Sequence, residues 1–277
     1  LVFDGLWKDG EINGSGKLIQ PNGDVYEGML ANGRRQGRGR VTYDNGDIYD
    51  GNFENDQRHG KGSFIGSDGY EYTGNWENGQ IQGQGRVIYP DGSVYTGAFG
   101  NGLAEGEGKI TYPDGSSYQG AWLAGVIEGE GLAIYPNGIT YKGGFKGARN
   151  HGFGVMRYSD GYIYEGNWQD GMRNGQGKAT FADGMVYEGD YLAGRRHGKG
   201  KIQLPDGFVY QGDWENGEIT GQGTATYANG DIYEGTFVKG KRQGQGTIKF
   251  ASGEEATGSW KDGALVSTDQ DGVVKEE

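Results

Sequence analysis

Three histidines are the first residues of this chain that could carry chemistry. His59, His151 and His197 are each followed by a glycine, and multiples of 23 residues separate them. An imidazole can bind a metal ion or transfer a proton at neutral pH. Because the three occupy one equivalent position, where other copies of the same segment carry Asn or Gln, we interpret them as turn-flanking residues. We therefore predict no catalytic residue and no metal site.

Two further motifs have simple structural readings. Gly-x-Gly pieces such as Gly129-Glu130-Gly131 suggest a phosphate-binding loop, but they precede strand-like segments, whereas such a loop precedes a helix. Asp269-Gln270-Asp271-Gly272 resembles the start of a calcium loop without its remaining ligands. We interpret it as part of a polar terminus, and we predict no cofactor.

A 23-residue repeat positions all of these motifs. An aromatic residue followed two positions later by glycine recurs without insertion or deletion, and a degenerate twelfth copy begins at Ala256. The repeats start at residues 3, 26, 49, 72, 95, 118, 141, 164, 187, 210, 233 and 256. We number the columns of the repeat from this first residue. The predicted domains are a repeat array over residues 1–266 and a polar C-terminal tail over residues 267–277.

The columns alternate with period two, which is typical of β-strands. Column 1 is aromatic, columns 3, 12 and 14 are glycine, and column 5 is large and apolar, with all six Trp residues. Columns 20 and 21 read Asn-Gly or Asp-Gly in nearly every copy, as in Asp91-Gly92, which predicts a type I′ hairpin turn. We expect the aromatic rings to lie across glycine backbone, the arrangement called aromatic rescue. The predicted fold is all-β, an elongated antiparallel meander of twelve hairpins.

Composition bounds the functional class. The 277 residues include 60 Gly and no Cys, and the formal charge is −12. An acidic chain disfavours nonspecific binding to nucleic acid, so no nucleic-acid partner is predicted. No apolar run is long enough for a transmembrane segment. Localisation stays open: the cytoplasm or a membrane periphery is favoured, and export is expected if an upstream signal peptide was removed.

The pattern resembles the MORN (membrane occupation and recognition nexus) repeat. The copy from Tyr164-Glu165-Gly166-Asn167-Trp168 to Gly175-Gln176-Gly177 shows its features, and the resemblance covers residues 1 to about 265. It implies a single-layer, twisted β-hairpin sheet with a shallow aromatic groove, used for protein contacts, for oligomerisation and for phospholipid association. Family members stand alone or regulate enzymes such as lipid kinases.

Two surfaces are candidate binding sites. The first is a partner groove formed by aromatic residues of columns 1 and 5, for which we select Trp76, Trp122, Trp168, Trp214, Tyr95, Tyr118, Tyr164 and Tyr187. The second is a basic edge for an anionic partner, opposite an acidic edge at columns 19 to 22. It comprises Arg34, Arg35, Arg58, Arg173, Arg195, Arg196 and Arg242. Copies four to six present a less charged stretch of that edge, with Ile81, Ala104 and Ile127 in column 10.

We therefore predict a non-catalytic scaffold that mediates protein–protein interaction or self-association. Two alternatives are a peripheral phospholipid-binding protein that uses the arginine edge, and the regulatory module of an enzyme whose catalytic domain is absent here. Repeat arrays expose unpaired strands at their ends. The degenerate twelfth copy is expected to cap one end, and an end-to-end dimer is expected at the other.

Overall fold

The computed structural model describes residues 2–8 and 10–268 of this chain. These residues form 24 β-strands and no helix, and every strand is antiparallel to the strand that follows it within its unit. The predicted all-β meander of 23-residue hairpins is confirmed. The tail motif at residues 269–272, which resembles a calcium loop, lies outside the described residues. The chain divides into two compact units, Leu1–Pro136 and Asn137–Glu277.

The first unit contains twelve strands. They are β1 (Val2–Lys8), β2 (Glu11–Ile19), β3 (Val25–Ala31), β4 (Arg34–Thr42), β5 (Ile48–Glu54), β6 (Gln57–Ile65), β7 (Glu71–Glu77), β8 (Gln80–Ile88), β9 (Val94–Gly100), β10 (Leu103–Thr111), β11 (Ser117–Leu123) and β12 (Val126–Ile134).

The second unit has the same order of hairpins. Its strands are β13 (Thr140–Lys146), β14 (Arg149–Arg157), β15 (Ile163–Gln169), β16 (Met172–Thr180), β17 (Val186–Leu192), β18 (Arg195–Gln203), β19 (Val209–Glu215), β20 (Glu218–Thr226), β21 (Ile232–Val238), β22 (Lys241–Lys249), β23 (Glu255–Lys261) and β24 (Ala264–Thr268). The degenerate twelfth copy thus still forms a hairpin, β23–β24, and its second strand ends at Thr268.

Glycine pairs and tyrosine rings explain the column pattern. In the fourth repeat Gly74 pairs with Gly85 across the hairpin β7–β8. A Cβ atom at Gly85 would lie 2.5 Å from Cε2 of Tyr72 and 2.6 Å from its hydroxyl oxygen. The ring therefore lies flat across the glycine pair, in space that any side chain would occupy. The expected aromatic rescue of glycine is confirmed.

The tyrosine hydroxyl compensates for an irregularity in each hairpin. The pairing shifts between Gly74 and Trp76, so column 4 has no regular partner within its own hairpin. The Tyr72 hydroxyl donates a hydrogen bond to the carbonyl oxygen of Asn75 at 2.8 Å. Equivalent bonds of 2.6 to 3.2 Å are made by all ten column 1 tyrosines. Each ring thus fixes the bulge of its own repeat.

The two turns of the repeat differ, and one prediction was wrong. Columns 7 and 8 form the type I′ turn, since Asn78 and Gly79 have φ values of 51° and 83°. At columns 20 and 21 only the glycine has positive φ, as at Gly92 (85°). The amide of Gly92 donates to the carbonyl of Tyr89 at 2.9 Å. This is a type I turn with Pro90 at its first central position. Proline fixes φ at a negative value, so this position could not belong to a type I′ turn.

Replacing Gly85 by Ala tests the glycine–tyrosine contact. The added Cβ would overlap the Tyr72 ring, so we expect a loss of about 1–3 kcal/mol or more in unfolding free energy. Gly100→Ala is the control, because its Cβ would meet only the flexible side chain of Glu105, at 3.3 Å. Denaturant unfolding, with amide hydrogen exchange of β7 and β8, measures both variants. Equal stability of the two variants would contradict the proposed packing.

Stability should fall at alkaline pH. Burial raises the pKa of Tyr26, Tyr49, Tyr72 and Tyr95 from the ordinary 10.0 to about 12. The unfolded chain ionises these groups near 10, whereas the folded chain retains their protons up to about 12. The stabilisation is therefore complete below pH 10 and is lost as the pH rises toward 12. Tyrosinate absorbance and circular dichroism should change together; ionisation near pH 10 without unfolding would disprove this.

Candidate interaction surfaces

The aromatic residues of columns 1 and 5 form a row of edge-to-face contacts in each unit, which we call the spine. In the first unit this row is continuous from Tyr26 to Tyr118, because Leu30 occupies column 5 of the second repeat. In the first unit, Trp76 lies between Tyr49 and Tyr72, with ring centroids 5.3 and 5.2 Å away. In the second unit, Trp214 lies between Tyr187 and Tyr210, at 5.2 and 5.7 Å. Perpendicular rings at these distances place the positive edge of one ring against the negative face of the next. Each ring thus joins neighbouring repeats.

The indole nitrogens add a hydrogen bond between repeats. Nε1 of Trp76 donates to the carbonyl oxygen of Gly62 at 3.3 Å, and Nε1 of Trp214 donates to that of Gly200 at 3.1 Å. Trp122, Trp168 and Trp260 make the equivalent bond. Trp7 belongs to the first described repeat and is 62% exposed, whereas Trp76 and Trp214, which pack against a preceding repeat, are 5% and 4% exposed. Packing against the preceding repeat therefore buries this column.

The structure places the predicted groove residues in the core of the sheet. Trp76, Trp122, Trp168, Trp214, Tyr95, Tyr118, Tyr164 and Tyr187 are between 0% and 9% exposed. Their rings contact one another, and their polar atoms bond to backbone carbonyls. A partner that approaches this face meets the side chains that cover the spine, so the spine rings offer it little of their own surface.

The predicted arginine edge separates into two groups. The column 10 side chains Arg35, Arg58, Arg173, Arg196 and Arg242 lie over spine rings, with guanidinium-to-centroid distances from 4.2 to 5.6 Å. Arg242 is 4.2 Å from the Trp260 ring and donates from Nη2 to the carbonyl of Gly263 at 2.6 Å. Arg34 and Arg195, in column 9, are exposed. Most of this row therefore supports the spine.

Column 11, which contains the histidines, caps the following type I′ turn. Oε1 of Gln82 accepts a hydrogen bond from the amide of Asn101 at 3.0 Å, and Oε2 of Glu105 accepts one from Ala124 at 2.8 Å. His151 occupies the same column, and its buried Nδ1 has no hydrogen-bond partner among the described residues. In residues 2–8 and 10–268, no three His, Asp or Glu side chains converge as metal ligands would.

The acidic edge is also explained by turn geometry. Oδ1 of Asp91 accepts the amide hydrogen of Ser93 at 2.8 Å, and Oδ1 of Asp114 accepts that of Ser116 at 2.9 Å. Hydrogen bonds from the Ser93 backbone and from Ser116 hold the pKa of these two carboxyl groups below the ordinary value. Such side-chain-to-backbone bonds are the usual reason that Asp and Asn occur in turns.

The opposite face of the sheet carries the columns that differ between repeats, and we call it the variable face. Columns 2, 4, 13 and 15 lie there, because successive strand residues point to opposite sides. In the second unit a groove of about 1000 Å³ runs over Gly189, Gly200, Gly212 and Gly223. Its walls are Gln176, Glu188, Lys199, Lys201, Gln211, Gln222, Thr224 and Glu234.

A second groove on the variable face lies within the first unit. It has a volume of about 540 Å³, and Gly62, Gly74 and Gly85 form its floor. Its walls come from the same columns, for example Lys61 and Arg86. The composition of the repeats alone did not reveal these grooves. They form because the same glycines that admit the tyrosine ring on one face leave bare backbone on the other.

Comparison with known proteins agrees with this architecture. The MORN repeat profile matches eleven consecutive segments, which together cover most of residues 3–255. The chain belongs to the MORN repeat family. The matched segments are residues 3–25, 26–48, 49–69, 72–94, 95–117, 118–140, 141–161, 164–186, 187–209, 210–232 and 233–255. Among curated proteins, no sequence relative matches this MORN chain.

Solved structures show only distant likeness. The TCP10 domain of Danio rerio CPAP, in complex with a Danio rerio STIL peptide, is 15% identical with a TM-score of 0.35; the match covers 94% of this chain and 99% of that domain. The Drosophila melanogaster SAS-4 TCP domain with a proline-rich motif of Ana2 is 13% identical, with a TM-score of 0.28 and coverages of 72% and 90%. Likeness this weak supports no functional argument.

Neighbouring arginines provide a test of the stacked column. Arg196 lies 4.7 Å from the Trp214 ring centroid, whereas Arg195 is exposed. Arg196→Ala should lower the unfolding free energy by about 0.5–2 kcal/mol. Arg195→Ala should change it by less than about 0.5 kcal/mol. Urea unfolding monitored by tryptophan fluorescence measures both; equal losses would show that the stacking contributes nothing.

Proposed function

We propose that this MORN array is a non-catalytic scaffold that binds a protein partner through its variable face. The observation that carries the proposal is the separation of constant and varied columns. The columns that repeat, such as Tyr49 and Trp76, are buried in the spine. Columns 2, 4, 13 and 15 vary in charge and polarity and lie on the other face, where nothing in the repeat geometry restricts their identity.

Column 13 shows the separation most clearly. All eleven of its side chains are exposed, and they include Ser, Arg, Lys, Gln, Glu and Phe. They are Ser15, Arg38, Lys61, Gln84, Glu107, Glu130, Phe153, Gln176, Lys199, Gln222 and Gln245. An exposed row whose chemistry changes from repeat to repeat is what recognition of an irregular partner requires, and catalysis would instead need converging groups.

Phospholipid headgroups are the alternative ligand, and they would bind at the arginine edge. Five of the seven edge arginines, such as Arg58 and Arg173, lie over aromatic rings. A stacked and backbone-bonded guanidinium has fewer donors left for a phosphate. With only Arg34 and Arg195 exposed in that row and a chain charge of −12, the geometry favours a protein partner. Another copy of this chain is one form that the partner could take.

Photo-crosslinking tests the proposal. A photoreactive amino acid is placed at Gln176 on the variable face, and in control chains at Asp183 on the acidic turn edge. We expect discrete protein adducts in an extract of the source cells from the first position only, and the adducted partner, once purified, should bind the unmodified chain. Adducts from both positions, or from neither, would argue against recognition by this face.

Co-sedimentation with vesicles tests the alternative. We expect no binding to neutral or phosphoinositide-containing liposomes at physiological salt, because exposed charges are screened there. Light scattering on the same sample gives the mass of the particle and reports self-association. Vesicle binding that survives physiological salt and is lost in the double variant Arg34→Ala, Arg195→Ala would replace the protein-scaffold proposal by the lipid one.

A further inference from the structure

The fifth and sixth repeats depart from the others in charge. From Val87 to Tyr135 the chain carries six acidic residues and one basic residue, Lys109. The acidic residues are Asp91, Glu105, Glu107, Asp114, Glu128 and Glu130. In the second to fourth repeats the groove of the variable face has Arg38, Lys61 and Arg86 along it, with one acidic side chain, Asp50. Glu107 and Glu130 occupy column 13, where the second and third repeats have Arg38 and Lys61, so the charge of this column reverses within the first unit.

Glu107 and Glu130 lack the partners that column 13 has elsewhere. Glu107 pairs in register with Ala121, which offers no polar group. At the equivalent positions of the second unit, Lys199 forms an ion pair with Asp213, and Gln222 donates to the Thr236 hydroxyl. Among the described residues, neither Glu107 nor Glu130 belongs to an ion pair. Both are exposed carboxylates on the variable face.

A cluster of aliphatic side chains lies on the same hairpins, with Leu103 and Val126 four residues before Glu107 and Glu130 along their strands. Leu103, Leu123 and Val126 are 50%, 56% and 45% exposed. Leu123 and Val126 are paired across the hairpin β11–β12, and Cδ2 of Leu103 lies 3.6 Å from the position of a Cβ on Gly125, in the turn between them. The three side chains therefore form one patch. In column 9 several other repeats have charged residues instead, such as Arg34 and Arg195, whereas Leu192 in column 6 of the ninth repeat is also apolar.

We propose that Leu103, Leu123 and Val126, with Glu107 and Glu130, form a docking site for a basic, amphipathic segment of a partner protein. This inference rests on the proposed scaffold function, and it names the partner chemistry for one part of the variable face. Aliphatic side chains of the segment cover the patch, and its Lys or Arg residues pair with the two carboxylates. The acidic field of residues 87–135 attracts such a segment and repels acidic ones.

Fluorescence anisotropy of the full chain with three labelled peptides tests the site. The peptides are a Leu/Lys amphipathic sequence, the same sequence with Glu in place of Lys, and one with Ser in place of Leu. Only the Leu/Lys peptide should bind tightly, and added salt should weaken it. Leu123→Ser and the double variant Glu107→Gln, Glu130→Gln should each weaken it at least about tenfold, as expected for losing an anchor or a desolvated pair.

Matched controls separate the site from general attraction to an acidic chain. Leu192 occupies the column of Leu123 in the ninth repeat and is 53% exposed, and Glu165 is an exposed carboxylate of the second unit. Leu192→Ser and Glu165→Gln should leave the affinity unchanged, with circular dichroism showing that all variants are folded. Equal losses in the control variants, or no tight binding of the Leu/Lys peptide, would overturn the site. The crosslinking experiment at Gln176 does not depend on this site, so it tests the scaffold proposal independently of the docking site.

Discussion

The contact between one tyrosine ring and a pair of glycines underlies the whole array. Tyr72 lies across Gly74 and Gly85, fills the space that two Cβ atoms would take, and donates its hydroxyl hydrogen to the carbonyl at the bulge. A single-layer sheet has no second layer to cover it, so its core must be made within the layer itself. The glycines leave space for the ring, and the ring supplies apolar area and a hydrogen-bond donor for the backbone carbonyl at the bulge.

Coupling between repeats follows from the same geometry. Trp76 lies between the tyrosines of two repeats and bonds the carbonyl of Gly62 in the preceding one. Stability is then shared between neighbours, as in other repeat arrays. Trp7, in the first described repeat, is 62% exposed, compared with 5% for Trp76. The arginines of column 10 extend this cover by stacking on the rings.

A consequence for function is that one face is fully committed to structure. Spine residues cannot vary without loss of the ring-on-glycine contacts, and most of the column 10 arginines are engaged by aromatic rings. The side chains of the variable face are not needed for this packing, because the grooves on that face have a floor of glycine backbone and walls of side chains that point to solvent. Leu103, Leu123 and Glu107 show how far its chemistry can change within one unit while the spine beneath stays the same. Under the proposed function, recognition and folding use opposite faces of the same strands.

The sequence by itself determined the repeat length, the strands, the hairpins and the role of glycine, because each of these follows from local periodicity and short-range sterics. It also indicated that His151 and its equivalents flank turns, and the structure places them on strands, three residues after the type I′ turn. The predicted type I′ turn at Asp91-Gly92 was wrong, since the loop is a type I turn in which only the glycine that follows the central residues has positive φ, with or without a proline. Only the tertiary structure decided which side chains are buried. Whether Trp122 is buried and whether Arg196 stacks on a ring depend on side chains from neighbouring strands and on the direction in which the bulge turns the backbone. A column pattern contains neither kind of information.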